Sequence, residues 1–366
     1  MPPAVPMQKI VALLDMDYFY AQCEQVRDPK LKGNPLVVVM PSLREGAGAV
    51  ATANYEARAL KIKSGMPLSL AKKLANRKTI FINADKEYYQ EISGKVFEIL
   101  DSFCEKVEQV SIDEAYFELT NPEGFERAEE TCVKIKRMIF GELGLTCSIG
   151  LSVNKFLAKM AAGEKKPDGF TVVKLEHMSS FLSKHLATDL PGVGPKAEKE
   201  LSRRGIKTIP ELKEIPADEL IKMFGNAKGI QLYEFARGKD GREVEANREK
   251  QQLSRMMTIE QDSFDFDFIS KRTDFLCERV FRAVTLSGKS FKTVSLIIVT
   301  KDIQTITRSK TLPEKIKSVD ELRQLIHNLL KGYLDEGLGA VRRVGVRVSN
   351  FDEEKGMQKK LFEFRQ

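Results

Sequence analysis

Asp15-Met16-Asp17-Tyr18-Phe19-Tyr20 and, far downstream, Ser111-Ile112-Asp113-Glu114-Ala115 are the two stretches on which the architecture turns. Each closes an apolar run of β character, Ile10 to Leu14 before the first and Val107 to Ile112 around the second. Carboxylates at the ends of two neighbouring strands can converge on one point. Asp15, Asp113 and Glu114 then form an all-oxygen site of the kind Mg²⁺ prefers. Two such ions about 4 Å apart can clamp the attacking and leaving oxygens of a phosphoryl transfer. Taken alone, either stretch also reads as an ordinary acidic strand end or turn facing water. Asp17 precedes the helical stretch Phe19 to Val26 and reads as its N-cap, outside the metal set.

Around these motifs, residues 9 to 174 read as mixed α/β. Strands are expected at Ile10–Leu14, Leu36–Met40, Thr79–Asn83, Val107–Ile112, Ala115–Leu119, Thr146–Leu151 and Thr171–Lys174, with helices such as Glu87–Ser102 and Glu126–Gly141 between them. This order, with a hairpin over Ser111–Leu119, predicts a largely antiparallel sheet with helices on one face. The segment from about Val26 to Ala84 interrupts that sheet as an insertion.

A compact helical stretch follows, roughly Leu175 to Lys239. Within it, Leu190-Pro191-Gly192-Val193-Gly194-Pro195-Lys196 precedes a helix over Ala197 to Arg204. A tight glycine turn before a helix exposes backbone N–H groups that can bind phosphate, the pattern of a helix-hairpin-helix. Gly192, Gly194 and Lys196 are its candidate contacts, and Phe224-Gly225-Asn226-Ala227-Lys228-Gly229 reads as a second, weaker hairpin. Lys239 to Gln252 has one valine and no other sizeable apolar residue, so it reads as a linker.

The last domain, about Leu253 to Phe351, alternates strands with helices at Ile269–Ser287 and Val319–Leu334. In Arg343-Val344-Gly345-Val346-Arg347-Val348-Ser349, period-two geometry sends the valines to the core and Arg343 and Arg347 to the open face. Gln304 to Lys310, with Arg308, is expected to offer hydroxyls and bases in the same way. A face of Arg, Lys, Ser and Thr without aromatics suits phosphate contact better than base stacking.

Composition narrows the class. The 366 residues leave room for several domains, and 42% hydrophobic with 30% charged residues describes an ordinary soluble protein. No apolar run approaches the roughly 20 residues that span a bilayer, and the first residues lack the pattern of a signal peptide. The five cysteines are scattered, which argues for reduced thiols in an intracellular compartment and against zinc. No P-loop or dinucleotide fingerprint is present. Net charge is +7, and most of the excess lies from Gly241 onward, as suits a polyanion partner.

Together with Gly48-Ala49-Val50-Ala51-Thr52-Ala53-Asn54-Tyr55-Glu56-Ala57-Arg58 and Lys166-Pro167-Asp168-Gly169, the two acidic motifs closely resemble the Y-family DNA polymerases, in the DinB (DNA polymerase IV) branch. The resemblance covers about Ile10 to Phe351 and rests on four motifs in order. It implies a multidomain α/β protein built as a right hand. An α+β palm would occupy 1–25 and 85–174, and small fingers 26–84. A helical helix-hairpin-helix thumb would follow at 175–239, a linker at 240–252 and an α+β little finger that binds DNA at 253–351, before a tail at 352–366.

The resemblance also implies roles. Asp15, Asp113 and Glu114 would be catalytic and, with the Met16 carbonyl, would hold two Mg²⁺. Tyr18, Phe19, Tyr20, Thr52, Tyr55, Arg58 and Lys166 would contact the incoming dNTP, with Tyr55, Arg58 and Lys166 on the triphosphate. Tyr20 would be the steric gate that blocks a 2′-hydroxyl. The small residues Gly48, Ala49, Ala51, Ala53 and Gly65 would leave a roomy roof over the nascent base pair, with low fidelity and translesion synthesis in DNA repair as the consequence. No exonuclease set is visible, so no proofreading is expected. Primer–template DNA and dNTP would be the partners of a cytoplasmic, nucleoid-associated monomer with no membrane association. Gln358, Leu361, Phe362 and Phe364 in the tail resemble sliding-clamp peptides of both the PCNA type and the bacterial type.

Two other readings compete. A nucleotidyl cyclase or template-free nucleotidyltransferase can use a similar palm but needs neither the hairpin nor the basic C-terminal sheet. A non-catalytic repair factor would not need Asp15, Asp113 and Glu114.

Overall fold

The computed structural model describes residues 9–44, 46–120, 124–246 and 251–353. In chain order its strands are β1 (Val11–Met16), β2 (Leu36–Pro41), β3 (Gly48–Ala53), β4 (Ile80–Asn83), β5 (Val107–Gln109), β6 (Glu114–Glu118), β7 (Cys147–Ser152), β8 (Phe170–Val173), β9 (Gln252–Ser263), β10 (Lys289–Thr300), β11 (Thr305–Thr311) and β12 (Val341–Glu353). They form sheets of order β5-β6-β1-β7-β8, β3-β2-β4 and β11-β10-β12-β9. The chain divides into two compact units, Met1–Val38 with Ala51–Ser64 and Leu74–Arg248, and Val39–Val50 with Gly65–Lys73 and Glu249–Gln366. The insertion at 26–84 contributes to both.

The five-stranded sheet follows from the alternation in β1. Val11 and Leu13 pack with Tyr116, Ala158, Ala162 and Val244. Ala12, Leu14 and Met16 join the larger core with Val96 and Leu100 of the helix Lys86–Phe103 and Cys132 and Ile135 of the helix Gly124–Leu143. The expectation of helices on one face is therefore corrected. A central strand whose residues are apolar and buried on both faces up to Asp15 needs cover on both sides, and the helix Lys155–Glu164 supplies the second layer. That helix comes so close to β7 that a Cβ on Gly150 would lie 2.1 Å from the Ala158 carbonyl oxygen. The pairings are antiparallel apart from β7–β8, which is parallel.

Strand β3 was not among the expected strands, because its run of glycine and alanine carries little β propensity. Gly48 is required there: its φ is +153°, and a Cβ would lie 2.9 Å from the Met40 carbonyl oxygen. Ala53 is fully buried, so it faces the interior and lines no open roof.

The expected linker also departs from a solvated tether. Val244 is buried in the second layer of the five-stranded sheet. The Glu245 N–H donates to the Glu108 carboxylate at 2.9 Å, and the Asp240 carboxylate accepts the Phe156 N–H at 3.0 Å. One apolar residue, placed at a groove, is enough to seat the strap. Gln252 already belongs to β9.

In the second unit, β9–β12 pack one face on the helices Phe266–Leu286 and Val319–Asp335. Val344, Val346 and Val348 lie in that core with Leu276, Val280 and Leu330.

Candidate active site

Antiparallel pairing of β1 with β6 sets Asp15 directly opposite Glu114. Residues paired in this way share a face with their Cβ atoms about 5 Å apart. Asp113 sits one residue before β6, and its carbonyl accepts the Met16 N–H at 2.9 Å. The loop is closed by the Val110 and Ser111 N–H groups donating to the Glu114 carbonyl. The Ser111 hydroxyl donates to the Asp113 carboxylate. Strand ends, not sequence proximity, bring the three acids into one neighbourhood.

Each of the two paired carboxylates has its own cation. Lys166 ion-pairs with Asp15, and Lys159 with Glu114. Burial pushes the Asp15 carboxyl above its ordinary range; Lys166 opposes this, while Glu114 and Asp113 add to it. Among the described residues, no three His, Cys, Asp or Glu side chains form a ready metal cage. The donor chemistry nevertheless fits a hard divalent cation. The three side chains offer only oxygen, and they are like charges whose mutual repulsion a cation would relieve.

Asp17 is not an N-cap. The residue before the helix Phe19–Arg27 is Tyr18, in the left-handed region at φ 35°, with no side-chain cap. The Asp17 carboxylate is fully buried and accepts three hydrogen bonds. These come from the Ser148 hydroxyl at 2.8 Å, the Thr146 hydroxyl at 2.9 Å and the Asp168 N–H at 2.8 Å. Lys136 secures the same loop through the Asp168 carboxylate at 2.7 Å and the Gly169 carbonyl at 3.2 Å. A Cβ on Gly169 would lie 2.5 Å from the Lys165 carbonyl oxygen, so glycine is needed for this packing. The pinned loop carries Lys166 to Asp15. The sequence set Asp17 aside as an N-cap and gave no role to Lys136 or Ser148, although a second acid two residues after Asp15 was the available signal.

The aromatic residues separate into inner and outer sets. Phe19 is buried in the core, which leaves only its backbone to offer a ligand. Tyr20 is half-buried and stacks on Tyr89, with ring centroids 4.3 Å apart and planes 15° from parallel. Tyr89 is locked from behind by its hydroxyl, which donates to Glu24 at 2.7 Å. Burial raises the Tyr20 hydroxyl above its ordinary pKa, with a further contribution from nearby Asp113. Tyr18 meets Tyr55 edge to face at 5.4 Å. Arg58 lies over the Tyr55 ring and donates from Nε to the Ala53 carbonyl at 2.8 Å. Burial raises the Tyr55 hydroxyl too; Asp17 and Asp15 add to the rise and Arg58 opposes it. Tyr55 and Arg58 thus stand beside the acid cluster, and Thr52 is half-buried on β3.

The hairpin candidates Gly192, Gly194 and Lys196 are exposed. Gly192 turns at φ 91°, and Gly194 precedes the helix Pro195–Arg203. Gly225, at φ 81°, makes a tight turn between the helices Ala217–Phe224 and Asn226–Phe235. Lys228 of that second hairpin donates to the Gly192 carbonyl at 2.8 Å, so the two turns lie side by side.

On the C-terminal sheet, Arg343 and Arg347 stand on the face away from the helices, opposite Val299 and Ser295 of β10. Arg308 does not join them. It is paired with Leu296, which is itself paired with the buried Val346, so period-two geometry turns it to the helix side, where it ion-pairs with Glu336. The open face of β11 is formed by Thr305, Thr307 and Ser309 instead. Gln358, Leu361, Phe362 and Phe364 lie outside the described residues.

Three family models match the chain. They are the impB/mucB/samB family over residues 14–163, the C-terminal domain of that family over 250–361, and the thumb domain of DNA polymerase-iota over 188–240. A DNA polymerase IV of Nitrosopumilus maritimus is 38% identical over 96% of this chain and 98% of its own. A DNA polymerase IV of Clostridium perfringens is 37% identical over 93% of this chain and 94% of its own. Among solved structures, a Y-family polymerase chimera of Dbh and Dpo4 superposes with a TM-score of 0.88 at 32% identity, covering 94% of this chain and 99% of the other. DinB from Sulfolobus solfataricus superposes at 0.66 and 32% identity, covering 93% and 98%.

Proposed function

The chain belongs to the impB/mucB/samB family of Y-family DNA polymerases, in the DNA polymerase IV group, and we propose that its acid cluster is the polymerising centre of a low-fidelity translesion enzyme. It is a DNA-directed DNA polymerase and, like the family, uses divalent metal ions. The observation that carries the reading is the direct opposition of Asp15 and Glu114, with Asp113 adjoining, at the ends of two paired strands.

By this reading Asp15, Asp113, Glu114 and the Met16 carbonyl hold two Mg²⁺. Bound there, the ions would neutralise charge on the reacting phosphoryl group and ease ionisation of the primer 3′-hydroxyl. The chain's own residues supply position and charge. Lys166, carried by the loop fixed to Asp17, offers an ammonium to the triphosphate. Arg58 offers a planar fork and Tyr55 a hydroxyl to the same group. The Phe19 backbone N–H is available to a phosphate oxygen. The Tyr20 ring, backed by Tyr89, closes the space that a 2′-hydroxyl would need.

We read the palm, fingers, thumb and little finger as 1–25 with 85–174, 26–84, 175–239 and 253–351. The hairpin at Gly192, Gly194 and Lys196 and the sheet face at Arg343 and Arg347 hold the duplex backbone, since both present phosphate-binding groups without aromatic side chains for base stacking. Gly48, Ala49, Ala51 and Gly65 present little bulk with which to test base-pair shape, which supports low fidelity. Proofreading is not expected of this centre. The tail at Gln358, Leu361, Phe362 and Phe364 is a proposed clamp-binding peptide.

Primer extension with each single dNTP and Mg²⁺ on a defined template, beside Asp113→Ala, tests the reading. Template-directed addition that vanishes in the variant is the expected result. Addition that ignores the template would replace the polymerase with a template-free nucleotidyltransferase, and full activity in Asp113→Ala would remove the metal assignment.

A further inference from the structure

The helix Lys155–Glu164 carries two lysines toward the acid cluster, and they meet different fates. Lys155 is buried with Glu108 as its ion-pair partner. Lys159, one turn later and partly exposed, ion-pairs with Glu114. Both lie in the wall of a cavity of about 390 Å³ that also contains Glu114, Gly192, Gln231 and Arg242. The cavity therefore runs from the carboxylates to the hairpin turn.

The cations in that wall differ in what they can release. Lys155 is committed to a buried carboxylate, and Arg242 to the Asp240 carboxylate through two hydrogen bonds, at 2.8 and 2.7 Å. Lys159 alone of these three pairs with a carboxylate that the polymerase reading gives to a divalent ion. When Glu114 turns to a metal, the Lys159 ammonium loses its counter-charge inside a concave, partly desolvated wall, where an unpaired charge is costly. The Lys159 side chain is 39% exposed, so water meets part of that charge, and an anion brought to the wall would restore its partner. Between a 3′-hydroxyl at the carboxylates and backbone phosphates at the Gly192 turn, the DNA group available is the last phosphodiester of the primer.

We propose that Lys159 is a positioning residue for the primer terminus: it neutralises Glu114 before the divalent ion binds, then passes its ammonium to the terminal phosphodiester of the primer. The proposal rests on the polymerase reading and adds a residue outside the assigned nucleotide and metal contacts.

The test uses the full chain and fluorescence anisotropy with labelled primer–template DNA, in Ca²⁺ and in EDTA. Two primers are compared, one native and one with a neutral methylphosphonate at the 3′-terminal linkage. In Ca²⁺, wild type is expected to bind the neutralised primer about tenfold more weakly, the loss of one charge-assisted hydrogen bond. In EDTA the two primers should bind alike. Lys159→Ala should bind both primers equally in Ca²⁺, and Lys159→Arg should restore a preference for the native linkage. If Lys159→Ala keeps the full tenfold preference, or wild type shows none in Ca²⁺, the proposal is overturned. Should Lys159→Ala melt at a lower temperature, Lys159→Arg and Lys159→Gln provide the same comparison with the stem retained. A wild-type protein that extends no primer in Mg²⁺ would remove the polymerase reading itself, and the proposal with it.

Discussion

The buried carboxylate of Asp17 accepts the backbone N–H of Asp168 at 2.8 Å across 151 residues of chain. This bond ties the end of β1 to the loop bearing Lys166. Asp17→Ala would leave the Ser148 hydroxyl and the Asp168 N–H without their acceptor, at about 1–3 kcal/mol for each group that stays dry, while the Thr146 hydroxyl keeps the Gln22 side-chain oxygen at 3.1 Å. The variant is expected to unfold at lower urea and to show a raised KM for dNTP. An unchanged KM in a folded variant would separate the loop from substrate binding.

Tyr20 rests on Tyr89 as one flat plate on another. Tyr20→Ala should admit ribonucleotides, lowering discrimination in kcat/KM by at least about tenfold, the scale of relieving a single steric clash. Tyr89→Leu should produce a smaller loss by freeing the Tyr20 ring. Sugar selectivity that survives Tyr20→Ala would take Tyr20 out of the gate role.

Arg343 and Arg347 share the open face of the C-terminal sheet, while Arg308 faces the helices. Neutralising Arg343 or Arg347 should reduce the log–log salt slope of DNA binding by about 0.9 for each phosphate that no longer meets a cation. Arg308→Gln should leave the slope unchanged. A slope altered by Arg308 and untouched by the other two would reverse the assignment of faces.

Burial pushes the Asp240 carboxyl up, but Arg242, by hydrogen bonds and charge, and the Phe156 N–H outweigh it and hold it below its ordinary range. A carboxyl depressed in the folded state stabilises the fold above its unfolded pKa of about 3.9. That contribution fades as pH falls from there through the folded value. Asp240→Asn should therefore destabilise the protein at neutral pH and converge with wild type at the acid end. A constant difference across the range, measured by urea denaturation, would contradict the linkage.

Lys155 and Glu108 form a buried ion pair, with side chains 6% and 3% exposed. Lys155→Met alone removes the ammonium that balances the buried Glu108 carboxylate, which keeps the Glu245 N–H, and should destabilise the fold by about 3–5 kcal/mol. Lys155→Met with Glu108→Leu should recover most of that loss. Equal destabilisation by the single and double variants would mean that packing, not charge, dominates there.

Local pattern made much of this protein legible. The apolar run before Asp15 lies on β1, whereas the strand expected over Val107–Ile112 ends at Gln109 and residues 110–113 form the turn into β6; the amphipathic stretches at Glu87–Ser102 and Glu126–Gly141 lie within the helices Lys86–Phe103 and Gly124–Leu143. The alternation in Arg343 to Ser349 placed its valines inward correctly, because each strand residue knows its face from its neighbours alone. The same rule also places Arg308 when its phase is taken from Ile306, which packs on the core two residues earlier on β11; reading that stretch only for its hydroxyls and bases missed it.

Elements, acidic motifs and family could all be read along the chain, because periodicity, turn chemistry and motif order are properties of neighbouring residues. Which partners those residues meet was settled in three dimensions. Asp15 faces Glu114 through strand register, Asp17 holds Asp168 through burial, Val244 docks on the back of a sheet, and Lys159 reaches Glu114 from a helix. These pairings depend on packing that closes long loops, and the free energy of such contacts is shared across the whole core and is not written at any one position.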